Sequence, residues 1–434
     1  MNGERTGGVP AANGNGETSQ QLFWRNYIAH VVEGGLYMGG MAFVSADSVM
    51  PAMMRTLGGP NWLIALTPML GGLGFSWLPI LTAHWVERMS YVKTFIIVVG
   101  VFQRLPYLLA AGCLLFLAES HPVLTLAMVA LAPFLSGTVG GISYTAWLEL
   151  VSKVIPANRR ASSWALRFII AACIGVGAGG TIRAVLRDHP GPTGFGILEL
   201  ILFGFLALSI VVFFLIRETT PSVKAGGQRR GLQENLQSLP QMLKADRRLL
   251  DFVRVRLMIL GIFIMTPFLA IHAMTVLGKT ESFLGFLVTC QMTGAILGNL
   301  LAGYIGDRSG GKRLLTISRS LLIAVCLAAA FNRSQWGFMA IYFFYGLSLH
   351  MDAVGNTTIS LELCPEGKRP TYMALLAAVA FVGMLVASGL STLVRDLSGE
   401  LWPAAIIAAV CIAGSWFFVL RIPEPRQRAV AAVQ

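Results

Sequence analysis

The residues of this chain best suited to chemistry are polar groups set inside long apolar stretches. They are His30, Glu33, Tyr37 and Asp47 in the first stretch, Arg104 in the third, Gln291 in the eighth, and His350, Asp352 and Asn356 in the tenth. In a helix, His30 and Glu33 lie one turn apart on a common face, and so do Asp352 and Asn356. Buried polar and titratable groups of this kind suit proton transfer or the binding of a polar substrate.

The composition indicates what kind of protein must position these groups. Of the 434 residues, 55% are hydrophobic and 12% are charged, whereas soluble domains contain about 25% charged residues. The mean hydropathy is +0.68. The core of a soluble protein could not bury so many long apolar segments, and a disordered chain would contain far fewer apolar residues. The sequence therefore predicts an all-α polytopic membrane protein.

Twelve apolar stretches are long enough to cross a bilayer as helices, which takes about 20 residues each. They lie near 27–50, 62–84, 94–118, 122–148, 162–183, 194–216, 256–278, 282–305, 314–331, 336–361, 371–394 and 401–420. We expect six-helix bundles at 25–217 and 251–421, joined by a linker at 218–250. An amphipathic helix on the membrane surface and a flexible chain fit this linker equally well. Residues 1–24 are expected to be a disordered cytoplasmic tail without a signal peptide, and residues 422–434 a second tail.

The net charge of +12 comes from Lys and Arg residues that concentrate in alternate loops, on the predicted side of both termini. Such a bias marks the cytoplasmic side of a membrane protein. We therefore expect cytoplasmic termini and a location in the plasma (inner) membrane. Because the basic clusters lie between apolar stretches, they argue against a nucleic acid as partner.

The two halves of the chain resemble each other in sequence. The matching segments are Glu87-Arg88 with Asp307-Arg308, Leu148-Glu149-Leu150 with Leu361-Glu362-Leu363, and Pro156-x-x-Arg159-Arg160 with Pro365-x-x-Lys368-Arg369. Each match falls at the same predicted membrane face. Two parallel halves imply a pseudo-twofold axis along the membrane normal, with a polar cleft between the halves near the midplane.

The loop between the eighth and ninth stretches carries a specific motif. Its sequence is Gly303-x-x-x-Asp307-Arg308-x-Gly310-Gly311-Lys312-Arg313. This motif resembles the signature loop of the major facilitator superfamily, G-x-x-x-D-R-x-G-R-[RK], with Gly311 in place of the usual Arg. The resemblance covers the span pattern of residues 25–421. It implies that superfamily's fold, which has 12 transmembrane helices in two pseudo-symmetric six-helix bundles.

The resemblance implies a charge network that closes the cytoplasmic side. The predicted gate residues are Gly303, Asp307, Arg308, Gly310, Lys312, Arg313, Glu87, Arg88, Glu149, Glu362, Arg159 and Arg369. Asp307 would face the N-terminal end of span five and Glu87 that of span eleven, where the helix dipole is positive. Arg308 would pair with Glu362, and Arg88 would pair with Glu149. The alternative is that these charges merely anchor the topology.

The resemblance also implies that spans one, four, seven and ten line the cleft, which places the polar groups of spans one and ten on its wall. Arg104 lies about 16 Å beyond Lys93 along a helix and needs a partner such as Glu33 or Asp47. Arg167 and Arg319 lie about two turns from the cytoplasm and are expected to reach the interface with their charged ends. Gln291 either lines the cleft or hydrogen-bonds a neighbouring helix.

The favoured function is transport of a small molecule by alternating access, driven by protons on Asp352, His350 or Glu33. A monomer without cofactor or metal is expected. The sequence lacks a G-x-x-x-x-G-K-[ST] loop, so ATP drive within the chain is not expected. Two alternatives are an acyl-transferase-like membrane enzyme with His350 as base and a non-transporting sensor on the same fold. The sequence leaves the substrate and the direction of transport open.

Overall fold

A computed structural model of the chain describes residues 19–76, 78, 82, 85–86, 89–221, 247–363 and 369–422. The fold is all-α, as predicted, with spans one to six in one bundle and spans seven to twelve in the other. Among the described residues, nine helices are long and apolar enough to cross a membrane. The chain is therefore an integral membrane protein.

The helices of the first bundle have the following bounds. Span one contains the helices Ser19–Gly40 and Val49–Thr56, with a single turn of 3₁₀ helix at Met41–Val44 between them. Span two contains Asn61–Leu66, a 3₁₀ turn at Thr67–Met69, and Leu70–Ser76. Spans three to six are Lys93–Phe116, Pro122–Val154, Ala157–Asp188 and Pro192–Phe213. Because span one begins at Ser19, residues 19–24 are helical, and their assignment to a disordered tail was wrong.

The second bundle follows the same order. Span seven contains Arg247–Ile259 and Ile262–Leu277. A 3₁₀ turn at Glu281–Phe283 precedes spans eight and nine, which share the helical segment Leu284–Phe331. Spans ten to twelve are Gln335–Leu363, Arg369–Ser398 and Trp402–Arg421. Residues 247–250, which were assigned to the linker, belong to the helix of span seven. The predicted linker helix otherwise lies outside the described residues.

Spans eight and nine are separated by a single residue with non-helical backbone angles. Gly310 has φ +78° and ψ 173°, which divides the segment Leu284–Phe331. A side chain would be strained at this positive φ, and glycine avoids that cost. The glycine of the signature loop therefore makes the turn between spans eight and nine.

Span one is interrupted near Asp47, which the sequence analysis did not predict. Pro51 has no backbone N–H, and its ring would clash with the carbonyl of the residue four positions earlier, which is Asp47. The carbonyl of Ser45 accepts hydrogen bonds from the N–H groups of Ser48 (3.3 Å) and Met50 (3.0 Å). The chain turns here and resumes its helix at Val49.

The two bundles touch through glycines of span five. A Cβ added at Gly179 would lie 2.6 Å from the carbonyl oxygen of Gly285 in span eight, and 2.9 Å from the backbone nitrogen of Thr289. Gly177 and Gly180, on the other side of the same helix, have open space at the corresponding position. Because Gly179 has no side chain, the backbones of spans five and eight can approach each other closely.

This contact leads to a first prediction. Gly179→Val should weaken the contact between the bundles by about 1–3 kcal/mol, because the new side chain overlaps the backbone of span eight. Thermal unfolding of the purified protein in detergent would measure the loss.

The matched control is Gly180→Val, one residue further along the same helix. It introduces the same side chain into open space, so its melting temperature should stay close to that of the unchanged protein. Equal losses in the two variants would contradict the prediction.

Candidate functional site

A cavity of about 440 Å³ lies within the first bundle, in the range of about 300–1,000 Å³ typical of small-molecule sites. Its aromatic lining consists of Tyr37, Phe75, Tyr107, Tyr144, Trp147, Trp164 and Phe213. The charged residues of its wall are Glu33, Arg104 and Arg167. Polar groups thus converge on a mostly apolar cavity.

Arg167 of span five is the centre of a buried cluster at this cavity. Its Nη1 lies 3.0 Å from Nδ1 of His30, 3.1 Å from the backbone oxygen of His30 and 3.3 Å from Oε2 of Glu33. The guanidinium carbon lies 5.1 Å from the ring centre of Trp147 and 5.2 Å from that of Trp164. Cation–π contacts of this kind are strongest where water is excluded.

The expectation that Arg167 reaches the membrane interface was wrong, since 5% of its side chain is exposed. The side chain points into the bundle, where Glu33 supplies the opposite charge and two indole rings cover the guanidinium faces. His30 and Glu33, placed on one helix face by their spacing, meet on this one cation.

Arg104 does not have the predicted partner. Its Nε donates to the carbonyl of Leu206 (2.7 Å), its Nη1 to that of Gly100 (2.6 Å), and its Nη2 to Oγ of Ser209 (2.8 Å). The expectation of a pair with Glu33 or Asp47 was wrong, because span six offers neutral acceptors within reach. Tyr37 also lies beside Arg104, with its ring centre 5.4 Å from the guanidinium carbon.

The second bundle buries its own ion pair. Arg319 of span nine is fully buried and forms a salt bridge with Asp352 of span ten, so the expectation that Arg319 reaches the interface was also wrong. Its Nε donates to Oγ of Ser415 at 3.0 Å. Asn356 donates to Oδ2 of Asp352 at 2.6 Å, which uses the shared helix face expected from the sequence.

The two bundles share one arrangement. Arg104 in the third helix of the first bundle donates to Ser209 in the sixth. Arg319 in the third helix of the second bundle donates to Ser415 in its sixth. Each bundle therefore ties its third helix to its sixth through a buried guanidinium, and only the second adds a carboxylate to that arginine.

The remaining predicted interior residues are divided between two places. His350 lies 3.1 Å from Nδ2 of Asn299, and its ring centre is 6.4 Å from that of Phe168 in the other bundle. Gln291 of span eight donates to Oδ2 of Asp47 at 3.4 Å, which links the bundles. The structure thus brings Glu33 and His30 together with Arg167, whereas Asp47 and His350 face the boundary between the bundles.

The predicted gate network lies largely outside the described side chains. This applies to Glu87, Arg88, Asp307, Glu362 and Arg369. Arg308 contacts Tyr304 through a hydrogen bond and its ring, Lys312 donates to the carbonyl of Leu420 at 3.0 Å, and Arg313 donates to Ser309 at 3.2 Å. Gly303 and Arg159 are exposed, and Glu149 is half-buried. The network remains a prediction.

The sequence analysis missed a joint between the bundles at the end opposite to the chain termini, which we call the distal joint. Oε1 of Glu281 accepts a hydrogen bond from Thr56 (2.5 Å), and Oε2 accepts one from the N–H of Gly191 (2.9 Å). Asn61 donates to Asp396 at 2.6 Å in the same region. The bundles are therefore bonded to each other at this end.

The distal joint leads to a second prediction. Glu281→Ala removes the bonds to Thr56 and Gly191 and should shift the equilibrium between joined and separated distal ends by about 1–2 kcal/mol, or 5–30-fold. Spin labels introduced by Arg187→Cys and Arg333→Cys, with the native cysteines replaced by serine, would report the distance across this end by pulsed EPR.

Glu119→Ala is the control for this measurement, since Glu119 is an exposed carboxylate in a loop at the same end. A distance distribution unchanged by Glu281→Ala, or shifted equally by both variants, would contradict the assignment of the joint to Glu281.

Two further acidic residues were missed. Glu218 accepts hydrogen bonds from the N–H groups of Val92 (3.0 Å) and Lys93 (2.8 Å) at the start of span three, and from Nζ of Lys153 (2.6 Å). A carboxylate at a helix N-terminus is favoured by the dipole. Glu199 of span six is fully buried, and neither of its carboxylate oxygens has a hydrogen-bond partner in the described part of the chain. Hydropathy does not reveal the contacts of Glu218 or the burial of Glu199.

Among the described residues, no three His, Cys, Asp or Glu side chains group closely enough to hold a metal ion. The charged residues of the cavity wall, which are Glu33, Arg104 and Arg167, form an ion pair and hydrogen bonds within the bundle. The chemistry available at the cavity is therefore the binding of polar or charged groups and the gain or loss of protons.

This chain is similar to known proteins both in sequence and in fold. A model of the Major Facilitator Superfamily matches residues 255–434. The solved structure of a variant of the nucleoside transporter NupG has a TM-score of 0.67 and 13% identity, covering 92% of this chain and 99% of that one. The chain thus resembles the major facilitator superfamily, in sequence over residues 255–434 and in fold over nearly its whole length.

Two further matches show how far the similarity extends. A variant of the Escherichia coli fucose:proton symporter FucP has a TM-score of 0.62 and 14% identity, covering 92% of this chain and 98% of that one. The D-xylose transporter of Levilactobacillus brevis is 29% identical over 103 residues, which are 24% of this chain and 22% of that protein. The match spans less than a quarter of that relative's length, so the sequence similarity is regional while the fold similarity covers nearly the whole chain.

Proposed function

We propose that the protein is a secondary active transporter of a small molecule, working by alternating access between its two bundles. The observation that best supports this is the cavity of about 440 Å³ with Glu33 and Arg167 buried in its wall. Proteins with this fold include ones named for nucleosides and for fucose with protons. The distal joint supplies the closed gate that one state of such a cycle needs.

Proton coupling is part of the proposal. Glu33 pairs with Arg167 across spans one and five, and Asp352 pairs with Arg319 across spans ten and nine. A proton taken up by either acid would remove its charge and weaken the attraction that holds two helices together. Proton uptake by Glu33 would thereby loosen two helices that line the cavity, and proton uptake by Asp352 would loosen two helices of the second bundle.

The proposed topology follows from the charge distribution. Both termini would lie in the cytoplasm and the distal joint on the outer face of the plasma (inner) membrane. With the bundles bonded at the distal joint, the conformation corresponds to an inward-facing state. We take the monomer as the working unit, because the cavity lies wholly within one chain.

Transport in reconstituted vesicles tests the proposal. With an imposed pH gradient and a panel of candidate solutes, at least one solute should move protons across the membrane, as a trapped pH-sensitive dye would report. Asp352→Asn should abolish this coupled flux, whereas Asp188→Asn, which changes an exposed carboxylate at the end of span five, should retain it. Solute movement that is independent of the gradient in the unchanged protein would remove proton coupling, and absence of any flux would favour the enzyme or sensor alternatives.

A further inference from the structure

The described wall of the cavity contains more cationic than anionic side chains. Glu33 is the carboxylate of its wall, and Arg104 and Arg167 supply two guanidinium groups. Glu33 lies 3.3 Å from Arg167 and compensates one positive charge. Arg104 donates to two carbonyls and a hydroxyl, which use three of its five N–H groups and bring no negative charge. Among the described residues, the lining of the cavity therefore carries one net positive charge.

The charges beyond the lining do not alter this balance locally. Glu199 is buried in span six outside the cavity wall, and its carboxyl oxygens make no hydrogen bond with the described residues that would favour its ionised form. Two further pairs are each neutral as a whole, namely Lys153 with Glu218 and, in the second bundle, Arg319 with Asp352. A positive charge kept in a low-dielectric environment is costly until an anion accompanies it.

The rest of the wall suits a flat apolar body. The rings of Phe75 and Tyr144 meet edge to face with centres 4.9 Å apart, and Tyr144 stacks with Trp147 at 6.3 Å. Trp147 meets Trp164 edge to face at 5.6 Å. Aromatic walls favour a ligand that offers a ring to their faces and edges.

We propose that this cavity binds a small organic anion with a flat apolar body, of which an aromatic carboxylate is the simplest example. This inference rests on the proposed function, since it names the substrate class of the same site. The carboxylate would accept N–H groups that Arg104 does not use, as charge-assisted hydrogen bonds. The ring would lie among Tyr144, Trp147 and Trp164. A cationic analogue of the same shape would raise the positive charge of the cavity further and should be rejected.

Calorimetric titration of the purified full-length protein in detergent tests the charge preference. The probes are benzoate, benzamide and benzylamine, which share a ring and differ in charge. Benzoate should bind at least tenfold more tightly than the other two. Benzylamine or benzamide binding as tightly as benzoate would overturn the proposal, and so would the absence of benzoate binding.

Two variants at one ion pair should act in opposite directions. Arg167→Gln makes the lining neutral and should weaken benzoate binding at least tenfold, whereas Glu33→Gln leaves two uncompensated guanidinium groups and should strengthen it about threefold or more. A gain in affinity does not arise from misfolding, so Glu33→Gln keeps the test decisive if Arg167→Gln folds poorly. Loss of benzoate binding in Glu33→Gln would overturn the proposal, and Asp188→Asn should bind as the unchanged protein does.

The binding assay needs no gradient and is therefore independent of transport. Benzoate bound with the predicted preference but never transported would count against the proposed function and leave this inference standing. Flux of an uncharged or cationic solute by a protein that does not bind benzoate would support the proposed function and overturn this inference.

Discussion

Arg167→Met is expected to lower the free energy of unfolding by about 3–5 kcal/mol, because it leaves the carboxylate of Glu33 buried without its cation. The same change removes the hydrogen bond to the backbone of His30 and the contacts with Trp147 and Trp164. Denaturant titration of the purified protein in detergent, followed by circular dichroism, would measure the loss.

The double variant Arg167→Met with Glu33→Leu separates the cost of an unpaired charge from the loss of packing. Replacing both partners of a buried pair with apolar side chains is often neutral or stabilising. The double variant should therefore recover most of the stability lost in Arg167→Met. If the two changes instead add, Glu33 and Arg167 do not interact energetically, and the pair has no part in holding spans one and five together.

Asp352→Asn is expected to have the second large effect. The substitution keeps the size of the side chain but leaves the fully buried Arg319 without a carboxylate, so a loss of about 3–5 kcal/mol in unfolding free energy should follow. Denaturant titration serves here too, and the coupled flux described above provides a functional readout of the same variant.

Two comparisons within the chain sharpen this prediction. Asn356→Ala removes one hydrogen bond to Asp352 but leaves the ion pair, so it should cost only about 1 kcal/mol. Asp188→Asn breaks an exposed pair with Arg187 and should leave stability unchanged within error. Equal losses in Asp352→Asn and Asn356→Ala would mean that the charge of Asp352 contributes nothing beyond its hydrogen bond.

The sequence was most informative where one helix supplies the whole signal. Spans were predicted because each presents about 20 apolar residues in a row. The shared faces of His30 with Glu33 and of Asp352 with Asn356 followed from spacing along one helix. The turn at Gly310 likewise depends on a single residue, a glycine between two spans.

Contacts between helices were the part that the sequence did not provide. Arg167 and Arg319 were placed by counting residues from the cytoplasmic end, which gives depth but not the direction of the side chain. Arg167 pairs with Glu33 and Arg319 pairs with Asp352, each on another helix, and a hydropathy pattern does not reveal such pairs. The interruption of span one has a local cause in Pro51, yet its effect on Asp47 depends on the backbone path and became visible only in three dimensions.

The arginine–serine ties within each bundle bear on how the molecule changes shape. Arg104 fixes the third helix of the first bundle to the sixth, and Arg319 does the same in the second bundle. Breaking the first tie would deprive Arg104 of the two acceptors that span six supplies, and breaking the second would deprive Arg319 of Ser415. Between the bundles, spans five and eight cross at Gly179 and Gly285, where the side chains of Thr289 and Arg183 lie against the glycines. We therefore expect a change of shape to occur mainly between the two bundles and to leave the packing within each bundle largely intact.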